Sequence, residues 1–238
     1  LMRARPAGAL ERINRALAAL GQPAIGALPP PAPHEQKASL ADIFSPALRK
    51  ATLILSLGYA AHALTFYYIL KMTPSIMSDP QFAGQNFTQA QGAGVLAYAN
   101  LGGAIGGAVF GWFMHRFGIK QATLVALALS VLLVARFGFG ANSLMGWTLA
   151  VVSVGLFTNS AIVGFYTAFA AVYPTHVKAT GTGFALSIGR AGAALSPYLA
   201  GTLFKAQLGL MTVSVIMAAG SLLALALMLF LPLRRDQH

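Results

Sequence analysis

Arg190 stands in a run of small and apolar residues, Gly181-Thr-Gly-Phe-Ala-Leu-Ser-Ile-Gly-Arg190-Ala-Gly192. A guanidinium in such a run is costly unless it pairs, faces water or meets an anion. Helical spacing places Gly183, Ser187, Ala194 and Pro197 on or near its face, small and polar as a cavity wall would be. The other reading is that Arg190, roughly two turns from the end of its apolar run, stretches its long stem to polar surroundings. His62 lies mid-run, where an imidazole that titrates near neutrality either relays protons or serves as a hydrogen-bonded packing residue. Asn159, in the polar patch Thr158-Asn159-Ser160, either contacts a solute or holds a neighbouring helix. Phe66, Tyr67, Tyr68 and Tyr166 either line a pocket for an aromatic ligand or anchor the ends of apolar segments.

Other chemistries are missing from the pattern. The five acidic residues, Glu11, Glu35, Asp42, Asp79 and Asp236, all fall outside the apolar runs. The buried carboxylate common in proton-driven carriers therefore has no place in this chain. There is no metal-ligand spacing, nucleophile elbow or P-loop, so neither an enzyme nor a cofactor is expected. The absence of cysteine excludes disulfides and Cys-ligated metal.

The elements that must hold these residues are apolar helices. Charged residues make up 9% of the 238 and hydrophobic ones 57%, whereas a soluble domain carries about 25% charged residues. A lipid-facing surface accounts for the deficit, and the bilayer is the expected partner. The net charge of +11 does not indicate nucleic acid, because the Lys and Arg residues sit between apolar runs without a basic, aromatic-interleaved face.

Six runs approach the ~20 residues that cross a hydrocarbon core: Ala51–Leu70, Ala93–Met114, Gln121–Phe139, Leu144–Val172, Thr182–Phe204 and Leu208–Leu231. At such lengths only helix satisfies the backbone. The fold class is thus all-α, a six-transmembrane-helix bundle. Residues 1–50 read as a polar segment with an amphipathic helix over Ala7–Leu20, a linker over Gln22–Pro33 and a helical turn at Ser39–Phe44. Residues 51–231 form the bundle, and 232–238 a tail. The chain opens at Leu1 without an initiator Met, which suggests a partial chain.

Twelve basic residues lie on one side of the spans: Arg3, Arg5, Arg12, Arg15, Lys37, Arg49, Lys50, Arg116, Lys120, Lys178, Arg234 and Arg235. Three lie on the other: Lys71, Arg136 and Lys205. This split places both termini in the cytoplasm, with the plasma (inner) membrane as the expected location. In the second run Gly102, Gly103, Gly106, Gly107 and Gly111 make small-xxx-small patterns, read either as close helix packing or as a helix pair that slides.

Two loops carry a resemblance. Gly111-Trp-Phe-Met-His-Arg-Phe-Gly-Ile-Lys120 resembles the major facilitator superfamily motif G-x-x-x-D-R-x-G-x-[KR], found at the cytoplasmic ends of that superfamily's second and eighth helices. Tyr173-Pro-Thr-His-Val-Lys-Ala-Thr-Gly, continuing to Ser187-Ile-Gly-Arg190, is similar to the Y-P-T-x-x-R-A-T-G and G-I-G-R patterns of the aromatic-acid:proton symporters.

The resemblance implies that the chain is the C-terminal half of such a carrier, helices seven to twelve, preceded by the loop between halves. It implies a missing N-terminal six-helix half and proton-coupled uptake of an aromatic or other organic acid by alternating access. The expected partners are then a small organic anion and protons. Arg190, Asn159, His62, Phe66, Tyr67 and Tyr166 become candidates for the substrate or proton pathway. Gly111, His115, Arg116, Gly118, Lys120 and Lys178 become the cytoplasmic gate loops. The chain departs from the pattern at His115, where the motif has the Asp that braces the gate, and at Lys178, which keeps the charge of Arg without its bidentate fork. Other expectations are a transport-inactive fragment or scaffold needing a partner half, and a carrier of another solute such as a sugar. Sugar porters share the first loop, but after the last helix they carry P-E-T-K-G where this chain has Leu231-Pro-Leu-Arg-Arg.

Overall fold

The computed structural model describes residues 8–19, 21–27, 39–80 and 87–232. Regular structure among them is helical: α1 (Ala9–Ala19), α2 (Leu40–Ile43), α3 (Arg49–Ser78), α4 (Gln89–Phe117), α5 (Ile119–Phe137), α6 (Leu144–Val172), α7 (Lys178–Lys205) and α8 (Leu210–Leu229). They fall into two compact units, one within residues 1–38 and one from Ser39 onward.

In the first unit α1 matches the expected amphipathic helix, whose outermost residues Ala7 and Leu20 lie outside the described residues. The helix buries Ala9 and Ile13 and exposes Arg12 and Arg15. Asn14 clamps the chain that follows, donating to the Ile25 carbonyl at 3.0 Å and accepting the Ile25 N–H at 2.9 Å. Of the expected linker, residues 28–33 lie outside the described residues.

The second unit is the bundle, and it starts earlier than residue 51. Ser39 and Asp42 form a reciprocal capping box on α2. Ile43 is buried, its carbonyl accepts the Thr52 hydroxyl at 2.8 Å, and the Phe44 ring meets Phe184 edge-on at 5.3 Å. These apolar anchors, invisible to a polarity count, assign residues 39–50 to the bundle.

α3 is the hub, packed against α4, α6, α7 and α8, while α5 packs against α6 and α8. It runs eight residues beyond the expected end at Leu70, past Lys71 and through Pro74. An internal proline removes one backbone bond, but buried Met72, Ile76 and Met77 hold this segment in the core, and Gly92 of α4 lies directly on the Pro74 backbone. The core continues through Tyr68, Phe137, Trp147 and Met217. Ring contacts join Tyr68 to Phe137 at 6.1 Å and Phe137 to Trp147 at 5.3 Å. Tyr68 is therefore a core residue, and its hydroxyl bonds Ser214 at 2.8 Å.

Five of the long helices, α3, α4, α5, α6 and α8, are long and apolar enough to cross a membrane. The remaining expected span, Thr182–Phe204, is α7. At 28 residues it measures about 40 Å, but Lys178, Arg190, Lys205 and many Gly, Ser and Thr residues dilute its hydropathy. Packing holds it in place instead. Gly189 lies on the Tyr59 ring, Gly192 lies on the Ala60 carbonyl, and Ser196 donates to the Leu64 carbonyl at 2.7 Å. The α4 glycine stripe also packs closely: Gly102, Gly103 and Gly106 sit on Val152, Asn159 and Leu156 of α6.

Candidate functional site

Arg190 lies on an uncovered face. Gly183, Ser187, Arg190 and Ala194 are all exposed, which is the small, polar face that helical spacing predicts. α7 begins at Lys178, so Arg190 is twelve residues into the helix, roughly 18 Å from its first residue. Among the described residues no carboxylate pairs with it.

On α3, which packs against α7, sequence reasoning passed over Tyr59. Its hydroxyl is 3.2 Å from the Tyr166 hydroxyl of α6. Its ring packs against Tyr166, Phe165 and Phe169 with centroids 5.9, 5.7 and 5.6 Å away. Gly189, the residue before Arg190, lies against the same ring. Tyr59 is 9% exposed and Tyr166 is 47% exposed, so the pair runs from the packed interior to an open side. Tyr166 and Gly189 of α7 thus both meet a residue whose only sequence signal was a tyrosine one turn before His62.

His62 is fully buried and fully satisfied. Nε2 is 3.0 Å from the Thr158 carbonyl and Nδ1 is 2.9 Å from the Ser221 hydroxyl. A carbonyl only accepts, so Nε2 donates to Thr158, and Nδ1 shares its hydrogen bond with the Ser221 hydroxyl. The ring ties α3 to α6 and α8 and stacks on Phe165 at 6.2 Å. Thr65, one turn on, donates to the Met217 carbonyl at 2.6 Å and accepts the Ser221 N–H at 2.9 Å, inserting its hydroxyl into the α8 ladder.

Phe66 and Asn159 meet elsewhere. With Leu96, Asn100 and Thr158 they line a pocket of about 20 Å³ between α3, α4 and α6, room for roughly one water. The Asn159 amide also rests on Gly103, so this residue serves the helix contact as well as the pocket. Phe66 and Tyr67 contact edge-on at 5.3 Å, which links the two groups.

The loop between α4 and α5 lines a separate groove of about 1280 Å³, bordered by Leu48, Gly111, His115, Arg116, Gly118 and Lys120. Gly118 closes α4 and opens α5 with φ 89°, a left-handed conformation that favours glycine. His115 and Arg116 are exposed, and the Arg116 guanidinium lies 5.8 Å from the Phe117 ring centre. Lys120 turns inward, and its ammonium donates to the Leu229 and Leu231 carbonyls, both at 2.8 Å. It caps the end of α8, a role the motif alone does not disclose.

Lys178 lies apart from this groove, half-buried at the start of α7. The Tyr-Pro-Thr loop before it is an anchor: Tyr173 is buried, its ring covers Gly181, and its hydroxyl donates to Thr52 at 3.3 Å. Burial raises the Tyr173 phenol above its ordinary range. The Tyr and the Gly of this motif are therefore two halves of one contact.

No family model matches the chain. Among curated proteins it is 30% identical over 196 residues to the 3-(3-hydroxy-phenyl)propionate transporter of Escherichia coli (strain K12), covering 82% of this chain and 47% of that protein. It is 33% identical over 178 residues to the gallate transporter of Pseudomonas putida, covering 74% and 38%. To the 4-hydroxybenzoate transporter PcaK of Pseudomonas aeruginosa it is 30% identical over 165 residues, covering 68% and 35%. The chain spans about half the length, or less, of these curated relatives. The two loop motifs and these matches agree: the chain is a multi-pass helical membrane protein that resembles the C-terminal half of a major facilitator carrier, and its relatives are aromatic-acid transporters rather than enzymes.

Proposed function

We propose that the chain is one half of a secondary active transporter that takes up an aromatic acid with a proton, in the plasma (inner) membrane, with both of its ends in the cytoplasm. The observation that carries this reading is Arg190, a cation with no carboxylate partner among the described residues, on an uncovered, small-residue face of α7 in a chain whose relatives are named for aromatic acids. Alternating access then rocks this bundle against a second six-helix bundle around a midplane site, the arrangement by which carriers built from paired six-helix halves work. Arg190 offers its charge to the substrate carboxylate, and Tyr67, Tyr166 and Phe66 offer ring faces to the aromatic body. His62, and Asn159 with its pocket, stand beside this path. The proton-binding carboxylate belongs to the partner half, since the acidic residues among those described, Glu11, Asp42 and Asp79, lie outside the long helices. The groove at His115, Arg116 and Lys120, together with Lys178, serves the cytoplasmic gate.

Uptake of labelled 4-hydroxybenzoate and gallate into proteoliposomes tests this, using the chain joined to a preceding six-helix half, with and without an inward proton gradient. Gradient-stimulated uptake is expected. A protein that moves neither acid overturns the reading. Uptake by the 238-residue chain alone points to a homodimer and overturns the need for a second half.

A further inference from the structure

We infer that the Tyr59–Tyr166 hydroxyl pair and Arg190 form a carboxylate subsite, in which Tyr166 donates the hydrogen bond that selects acids over neutral aromatics. The inference rests on the aromatic-acid reading above, because that reading supplies the ligand class. Its geometry comes from three helices. Tyr59 is enclosed by the rings of Phe165 and Phe169 and reaches one hydroxyl, that of Tyr166, at 3.2 Å. Two phenols sharing one hydrogen bond use one of their two protons. Tyr59, on the enclosed side, donates it, and Tyr166, 47% exposed, keeps its own O–H for the open side. Donation from Tyr59 polarises the Tyr166 O–H and strengthens what it offers next.

Arg190 directly follows the residue that brings α7 onto Tyr59. A β-carbon at 189 would overlap Cε1 and Cδ1 of the Tyr59 ring, so only glycine lets α7 come this close, and the next residue along is the guanidinium. Arg190 is exposed and has no carboxylate partner among the described residues. A positive charge beside a free, polarised O–H donor fits one face of a carboxylate, with the Tyr166 ring beside it for the aromatic body. A neutral alcohol satisfies neither the charge nor the donor as fully.

Calorimetric titration of the 238-residue chain in lipid nanodiscs, with 4-hydroxybenzoate and with neutral 4-hydroxybenzyl alcohol, tests the subsite. The wild type is expected to bind the acid at least about tenfold more tightly than the alcohol, as charged hydrogen bonds imply. Tyr166→Phe should weaken acid binding about tenfold and leave the alcohol unchanged, and Tyr59→Phe should weaken it a few-fold, about half that effect on a logarithmic scale. Arg190→Gln should remove the preference for the acid. Unfolding midpoints near wild type confirm that the phenylalanine variants fold. If Arg190→Gln abolishes acid binding while both phenylalanine variants bind as wild type, the tyrosine subsite is overturned and the aromatic-acid reading stands. If the wild type binds the acid no better than the alcohol, the subsite is overturned, and uptake by the longer protein decides the transport reading separately.

Discussion

Gly189 lies so near the Tyr59 ring that a β-carbon on it would overlap the ring edge. This contact pins α7 to α3 at the point where the next residue is Arg190. The glycine and arginine act together, one setting the approach of the helices and the other placing a charge at their shared margin.

Gly189→Ala should force α7 away from Tyr59 and destabilise the bundle by about 1–3 kcal/mol, the usual range for overpacking. Gly183→Ala is the control, because open space surrounds Gly183 on the same helix. Detergent unfolding midpoints should fall for the first variant and stay near wild type for the second. Equal midpoints would show that the contact is slack.

Arg190→Ala, in the chain joined to its second half, should abolish aromatic-acid uptake while membrane insertion and expression are retained. Fractionation and proteoliposome flux separate the two effects. Uptake at the wild-type rate would remove Arg190 from the substrate path.

His62→Ala should destabilise the bundle by about 1–3 kcal/mol, a range that combines hydrogen bonds averaging below 1 kcal/mol in membrane proteins with the cavity the ring leaves. The variant breaks the bonds to Thr158 and Ser221 that join α3 to α6 and α8. Loss of gradient-driven uptake with an unchanged unfolding midpoint would instead mark His62 as part of the proton path.

Lys120→Met should cost about 1 kcal/mol, since it removes a cation from the carbonyl end of a helix. Hydrogen exchange near Phe230 and Leu231 should rise, because the Lys120 ammonium bonds the Leu229 and Leu231 carbonyls. Lys120→Arg should keep most of the protection. Unchanged exchange in Lys120→Met would rule out the cap.

The helices were legible in the sequence because each spans a long apolar run, and Leu144–Val172 coincides with α6 end for end. The other ends moved by a few residues for local reasons. Thr88 and Gln91 form a capping box that starts α4 at Gln89, ahead of the apolar run. Met72, Ile76 and Met77 carry α3 through a proline that ordinarily signals a stop. Arg190 stood out because a lone cation among apolar residues is conspicuous in one dimension. Tyr59 did not, since a tyrosine in an apolar helix is ordinary until its hydroxyl is seen opposite that of Tyr166, 107 residues away.

Two loop motifs carried the resemblance to a carrier; composition and hydropathy by themselves determined an all-helical membrane chain and the order of its long helices. They could do so because lipid solvation acts on each segment separately and leaves its mark in every run. Only the tertiary structure decided which polar groups find partners and which stand exposed. It closed His62 into a satisfied link between three helices, turned Lys120 onto the end of α8 and left Arg190 on an open face. Hydrogen-bond satisfaction depends on groups brought together from distant helices, and no spacing within one helix records it.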